Sequence, residues 1–186
     1  MIMKRHDLKG MKPQIKTIFC EGLNQDVNIV LHDFKQCVYS LLMDKELMQS
    51  KNILPWDTID KEIDDVNTGS VFKNAQKVYI NDPSKERLVP IIFFTDKTHT
   101  DIHGRLCLEP VQFTLGIFNR ETRNNPKAWR TIGYVTDHSY DKKCTTEMKV
   151  QDYHKILEVI LETFKHSQKK NLSSGNLSTK VRMNTY

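Results

Sequence analysis

The sequence has no CxxC pair: its four cysteines, Cys20, Cys37, Cys107 and Cys144, stand far apart. Zinc knuckles and disulfide scaffolds need closer spacing, so neither is expected, and the thiols read as reduced in cytosol or nucleus. Long apolar runs are also missing. The longest, Val89-Pro90-Ile91-Ile92-Phe93-Phe94, falls far short of a bilayer span. The N-terminus, Met1-Ile2-Met3-Lys4-Arg5-His6-Asp7, places a charge cluster where a signal peptide needs its apolar stretch. Secretion and membrane insertion are therefore not expected, and the reading places the chain in nucleus or cytoplasm. Acidic side chains, finally, are absent from Thr163 onward, where Lys165, Lys169, Lys170, Lys180 and Arg182 remain.

What is present suits one globular domain with a sizeable core. The chain has 186 residues, 38% hydrophobic and 27% charged, with a mean hydropathy of -0.55. The net charge of +5 is unevenly placed. Residues 1–141 hold 19 basic and 19 acidic side chains, whereas residues 142–186 hold 9 and 4. The excess lies in the C-terminal segment, which could neutralise phosphates or be a solvated, frayed tail.

Periodicity predicts a first helix over Asp26 to Met48, because Val27, Val30, Leu31, Phe34, Val38, Leu41 and Leu42 fall at three- and four-residue steps. Asp26 is a candidate N-cap, and Asp33 could restart the helix after a break. Leu54-Pro55-Trp56 interrupts, and residues 57–65 read as an acidic loop. A short helix is predicted over Ser70 to Tyr79, with Val71, Phe72, Ala75 and Val78 on one face, ended by the turn residues Asn81-Asp82-Pro83-Ser84. From Leu88 the pattern becomes that of strands. Leu88–Thr95 is β-branched, aromatic and apolar on both faces, as a central, buried strand would be. Val111–Phe118 and Trp129–Val135 follow, and short connections favour an antiparallel meander. A last helix is expected from about Val150 to His166, with Tyr153, Ile156, Leu157, Ile160, Leu161 and Phe164 as its apolar stripe. These signals divide the chain into an N-terminal extension (1–25), a helical lead-in (26–87), a strand-rich domain (88–166) and a basic, disordered tail (167–186). Three strands and then a helix is how an RNase H-like fold begins, though other α/β folds begin the same way.

Asp96 follows directly on the strand expected to be buried. A carboxylate on stiff backbone is well placed to hold a hard divalent cation, but two-metal phosphodiester chemistry needs several carboxylates. An Asp capping a turn is the ordinary alternative. His99, Asp101 and His103 cluster with Asp96 and can be drawn as a metal site, or as an accidental polar loop. Glu158 and Glu162 lie opposite the apolar stripe of the last helix and read as solvated, while Asp137 and Asp141 follow the third strand. Arg120, Arg123, Lys127 and Arg130 surround the second hairpin with Glu121 the one acid among them, which suits phosphate contacts as well as an ordinary solvated turn.

Several blocks together resemble one family. Pro90-Ile91-Ile92-Phe93-Phe94-Thr95-Asp96-Lys97-Thr98-His99 is similar to the signature of Plavaka-type transposases of the Kyakuja–Dileera–Zisupton group. Pro110-Val111-Gln112-Phe113-Thr114-Leu115-Gly116, the loop with Glu121, Arg123 and Pro126, and Ile132-Gly133-Tyr134-Val135 resemble that family's next blocks in order. His32-Asp33-Phe34-Lys35-Gln36-Cys37-Val38 with Leu41-Leu42 resembles its helical lead-in. The likeness spans about residues 27–165, and several blocks in order are far more specific than one short motif. Thr95 stands where the family has Ser, and Thr100 where an apolar residue is common.

The resemblance implies an α+β fold: a truncated RNase H-like core, with a helical lead-in, a three-stranded antiparallel meander and a helix. It implies a DDE/D-type strand-transfer ancestor with Asp96 as first catalytic, metal-binding carboxylate. Magnesium is then the ancestral cofactor, held weakly or not at all by this chain, because the family's later acidic residues would lie beyond Tyr186. The expected function is a transposase-derived fragment that is not an enzyme as it stands. The alternative is a non-enzymatic module binding DNA or protein through Arg120, Arg123, Lys127, Arg130, Lys169 and Lys170. A meander lacking its backing strands would also leave an exposed edge open to self-association.

Overall fold

In the computed structural model, which describes residues 12–55, 64–99, 107–136, 138–168, 172–173 and 180–182, the described residues open with a β-hairpin where the sequence predicts an extension and a helix. Strand β1 is Gln14–Cys20 and β2 is Gln25–Leu31, paired antiparallel from Gln14↔Leu31 to Cys20↔Gln25. The physical reason is Ile29. Val27, Ile29 and Leu31 are buried while Asp26, Asn28 and Val30 are exposed, a period of two that β-branched residues favour over helix. Asn24 closes the turn at φ 52, a left-handed conformation that Asn tolerates. The helix begins only at Phe34, as α1, Phe34–Leu42, after Asp33 Oδ1 accepts a 2.8 Å hydrogen bond from the Gln36 amide.

The remaining elements are α2 (Ser70–Tyr79), β3 (Glu86–Leu88), β4 (Ile91–Thr95), β5 (Thr98–His99), β6 (Cys107–Leu115), α3 (Arg120–Arg123), β7 (Trp129–Thr136), α4 (Thr146–Ile160), α5 (Glu162–Gln168), β8 (Leu172–Ser173) and β9 (Lys180–Arg182). The fold is α+β, with an antiparallel sheet in the order β1-β2-β7-β6-β4 and β5 paired to β6. The expected meander is present as β4, β6 and β7. The expected central place of its first strand is not. Among the described strands β4 ends the order; Ile91 to Phe93 are partly covered, and Phe94 is 50% exposed.

Two compact units emerge, each discontinuous in sequence: residues 1–40, 93–112 and 131–164, and residues 41–92, 113–130 and 165–186. In the first, α4 packs on β1 and β2. Gly133, opposite Leu31 in the β2–β7 ladder, makes that packing close, since a Cβ there would lie 2.8 Å from Ile160 Cγ2. Phe34, Phe93 and Phe164 form an aromatic trio with centroids 4.8–6.2 Å apart. Fully buried Asp152 on α4 accepts a hydrogen bond from the Leu23 amide at 3.1 Å and so ties the hairpin turn to the helix. Nearby, burial pushes the Cys20 thiol above its ordinary pKa, with Asp152 adding to the effect, which suits an unreactive structural thiol.

In the second unit, Phe72 and Ala75 of α2 pack on Leu88, with Val66 and Ile80 alongside. The helix occupies its sequence-expected span, but Val71 and Val78 lie exposed rather than in the apolar face. The short strands β8 and β9 lie in the segment expected to be unpacked tail, where β9 pairs parallel with β3.

Candidate functional site

Asp96 lies between β4 and β5, exposed, directly after the exposed Thr95 and before Lys97. The chain then turns back onto β6, where Thr98 faces Leu108 and His99 faces Cys107. Thr95 Oγ1 donates to Glu109 Oε1 at 2.9 Å, and the Tyr153 hydroxyl of α4 donates to that same oxygen. Glu109 is thus held from the β4 side and the helix side by two hydroxyl groups.

Lys97, Glu109 and Tyr153 open onto a cleft of about 160 Å³. Its walls include Lys97, Glu109, His138, Tyr140, Lys149 and Tyr153, over a floor of Val135 and Ile156. The walls are braced. Thr136 Oγ1 and His138 Nε2 lie 2.8 Å apart, and Lys149 Nζ sits 5.4 Å from the centre of the Tyr140 ring. Burial, and then the hydrogen bond and charge of Glu109, push the Tyr153 phenol up to about 12. Tyr153 therefore stays protonated, and donating, at any physiological pH. Two ammonium groups, one carboxylate, two phenols and an imidazole around an apolar floor suit a ligand that is itself part anionic and part hydrogen-bond donor.

Apart from Lys97 and Val135, none of these cleft residues belongs to a family block that the sequence singles out. Tyr153 falls in the apolar stripe of the last helix and reads as core, which its ring partly is; its hydroxyl is the missed signal. Glu109 precedes Pro110 in a strand whose alternation does not mark it. The β6 and α4 side chains meet only through tertiary structure.

A magnesium ion held by protein oxygens needs several donors. Among the described residues no group of three or more His, Cys, Asp and Glu could hold a metal ion. Glu109, the carboxylate on β6, is steadied by two hydroxyl donors on Oε1, and with no such group around it the described residues do not make up a two-metal centre around Asp96. Asp101, His103 and Asp137 lie outside the described residues. Glu162 pairs with Lys16, and Asp141 Oδ1 accepts from the Lys143 amide at 3.1 Å.

The basic turn belongs to the second unit, and its four cations have unequal roles. Arg120 is exposed on α3, which Asn119 caps through the Thr122 amide at 2.8 Å. Arg123 is turned inward: Nη2 meets both Asp65 oxygens at 2.7 and 2.8 Å, and Nη1 donates to the Phe118 carbonyl at 2.7 Å. Asp65 itself caps the short 3-10 turn at Val66–Thr68. Lys127 is exposed and pairs with Glu46 at 3.0 Å. Arg130 is only 5% exposed, with Nη1 donating to the Lys127 and Trp129 carbonyls at 2.6 and 2.9 Å. Arg120 and Lys127 therefore present charge outward, while Arg123 and Arg130 brace the turn. Lys169 and Lys170 lie outside the described residues.

An antiparallel sheet backed by helices, with an exposed carboxylate leaving the strand at one end, is compatible with many activities, and sequence comparison narrows it. The family model of the Plavaka transposase matches residues 8–186. The chain belongs to the Plavaka transposase family and is a transposase-derived protein, of the kind mobile elements encode. No curated protein and no solved structure matches it. Among the described residues no helix is long and apolar enough to cross a membrane.

Proposed function

We propose that this chain is a DNA-contacting protein built on the opening part of an RNase H-like strand-transfer core, and that on its own it does not cut DNA. The observation that carries the reading is Asp96: an exposed carboxylate leaving β4, beside a cleft, in a member of a transposase family, with no metal-holding cluster among the described residues. The succession β4, β6, β7, α4 supports it, being the order in which such a core begins. Asp96 stands in the place of the first metal-binding carboxylate of a DDE/D-type centre, which needs further carboxylates to hold magnesium. DNA contact is carried by Arg120 and Lys127, with Arg123 and Arg130 bracing the turn; Lys169 and Lys170 are further candidate cations in the sequence. Such a role belongs in the nucleus or cytoplasm.

Duplex binding measured across a salt series tests this. The logarithm of affinity is expected to fall with that of salt by about 0.9 per phosphate contacted, and Arg120→Ala and Lys127→Ala are each expected to reduce the slope by about one. Binding indifferent to salt, or unaltered by both substitutions, overturns the reading.

A second reading, self-association through the sheet, is favoured by one feature. Ile15 and Val30 face each other in the hairpin register, and with Phe19 they are exposed, at 68%, 41% and 51%. Sedimentation over a range of concentrations decides it: a species growing with concentration, reversed by Phe19→Lys, supports the reading, and a constant monomer excludes it.

A further inference from the structure

The cleft beside Asp96 has a composition that ordinary duplex contact does not require. Phosphate contact calls for cations alone, yet this cleft sets the Glu109 carboxylate among Lys97 and Lys149 and walls it with Tyr140 and Tyr153. A purely anionic ligand would be repelled by Glu109. A free divalent cation would meet two ammonium groups, and an apolar ligand would cover these charges without compensating them. What matches is a group combining a flat ring, an anionic oxygen cluster and an amine. At about 160 Å³ the space admits one base-sized ring and not a drug-sized molecule.

We propose that this cleft receives a single unpaired deoxynucleotide, with selectivity for a base bearing an exocyclic amine (cytosine, adenine or guanine) over thymine. The roles follow from chemistry. Tyr140, already under a cation at 5.4 Å, offers a face for base stacking. Lys97 and Lys149 supply charge for the phosphate. Glu109 is a hydrogen-bond acceptor of the type that takes the amine of cytosine in DNA recognition. It holds its position because Thr95 and Tyr153 both donate to one of its oxygens, Oε1. Tyr153, its phenol pushed up to about 12, keeps that donor role at all working pH values. A base inside a duplex is stacked and paired, so only one turned out of the stack, or on a single strand, can enter. The inference rests on the reading of the chain as a DNA-contacting protein, and assigns the cleft a substrate that the basic turn does not read.

The test uses the whole chain and labelled dA, dC and dT oligomers of about ten nucleotides, within the site sizes usual for single-strand binders, read by fluorescence anisotropy. The dC and dA oligomers are expected to bind about tenfold more tightly than dT, the worth of one good base contact. Tyr140→Ala is expected to weaken all three about tenfold. Glu109→Gln, which offers a donor as well as an acceptor, is expected to raise dT binding and narrow the preference. Should Tyr140→Ala fail to fold, the exposed Lys149→Ala carries the test by lowering the salt slope for the oligomers by about one. Equal binding of the three oligomers, unmoved by Glu109→Gln and Lys149→Ala, overturns the proposal. If duplex binding then persists, the DNA reading survives and the cleft assignment alone falls; if neither form binds, both fall. Tighter binding of matched ribonucleotide oligomers overturns the assignment to DNA.

Discussion

The basic turn of the second unit and the cleft of the first carry similar numbers of charged groups but use them differently. In the turn, two of four cations are structural: Arg123 is locked onto Asp65, and Arg130 is buried against backbone carbonyls. In the cleft, the polar groups are positioned by one another and still open onto free space, with Thr95 and Tyr153 steadying Glu109 and Thr136 beside His138. Counting charges along the chain therefore overstates the turn and passes over the cleft. Whether a cation is a brace or a reader depends on its burial, which charge spacing does not encode.

Substitutions separate these roles by size of effect. Arg123→Ala is expected to destabilise most, by about 3 kcal/mol in chemical denaturation, because it leaves the largely buried Asp65 carboxylate without its partner. Loss of under 1 kcal/mol would mean that the turn is not braced this way. Gly133→Ala comes next. It drives a Cβ to 2.8 Å from Ile160 and is expected to cost about 2 kcal/mol in thermal unfolding, loosening the α4 face from which Tyr153 reaches Glu109. An unchanged melting temperature would show that α4 can slide to make room.

Tyr153→Phe deletes one of two donors to Glu109 and is expected to cost about 1 kcal/mol. Its effect on pH dependence is more telling. The folded phenol titrates at about 12, above its ordinary value of 10.0, so the fold favours the protonated form. The stability this provides is complete below pH 10 and is lost as the pH rises through about 12. A late-ionising phenol is expected in an alkaline absorbance titration, absent in Tyr153→Phe. A titration without such a late group would contradict the part-buried Tyr153–Glu109 contact. The smallest effect belongs to Lys127→Ala: its ion pair with Glu46 is exposed, and removing it is expected to change stability by about 0.5 kcal/mol or less. A larger loss would make Lys127 a brace as well.

Local signals account for much of the fold. The span of α2 is legible because Phe72 and Ala75 recur at helical spacing before the Asn81-Asp82-Pro83-Ser84 stop. The meander is legible in the β-branched blocks around Ile91, Val111 and Ile132. The hairpin is not, because Val27, Val30 and Leu31 fit helical steps as well as Val27, Ile29 and Leu31 fit alternation. The choice between them is made by pairing with β1, which lies in the segment expected to be an extension. Asp96 is legible as a carboxylate after a strand, and the family likeness rests partly on its block. The surroundings of Asp96 are not, since Glu109, Tyr140 and Tyr153 come from three segments that only the folded sheet and α4 bring together.

The central proposal is that Asp96 is the first carboxylate of a strand-transfer centre and that the chain on its own does not cut DNA. Supercoiled plasmid incubated with the protein and magnesium or manganese tests it most directly. The circle is expected to stay closed under salt conditions in which the protein binds it. Metal-dependent nicking by the wild-type chain, abolished by Asp96→Asn in a protein that still folds and binds DNA, would contradict the account.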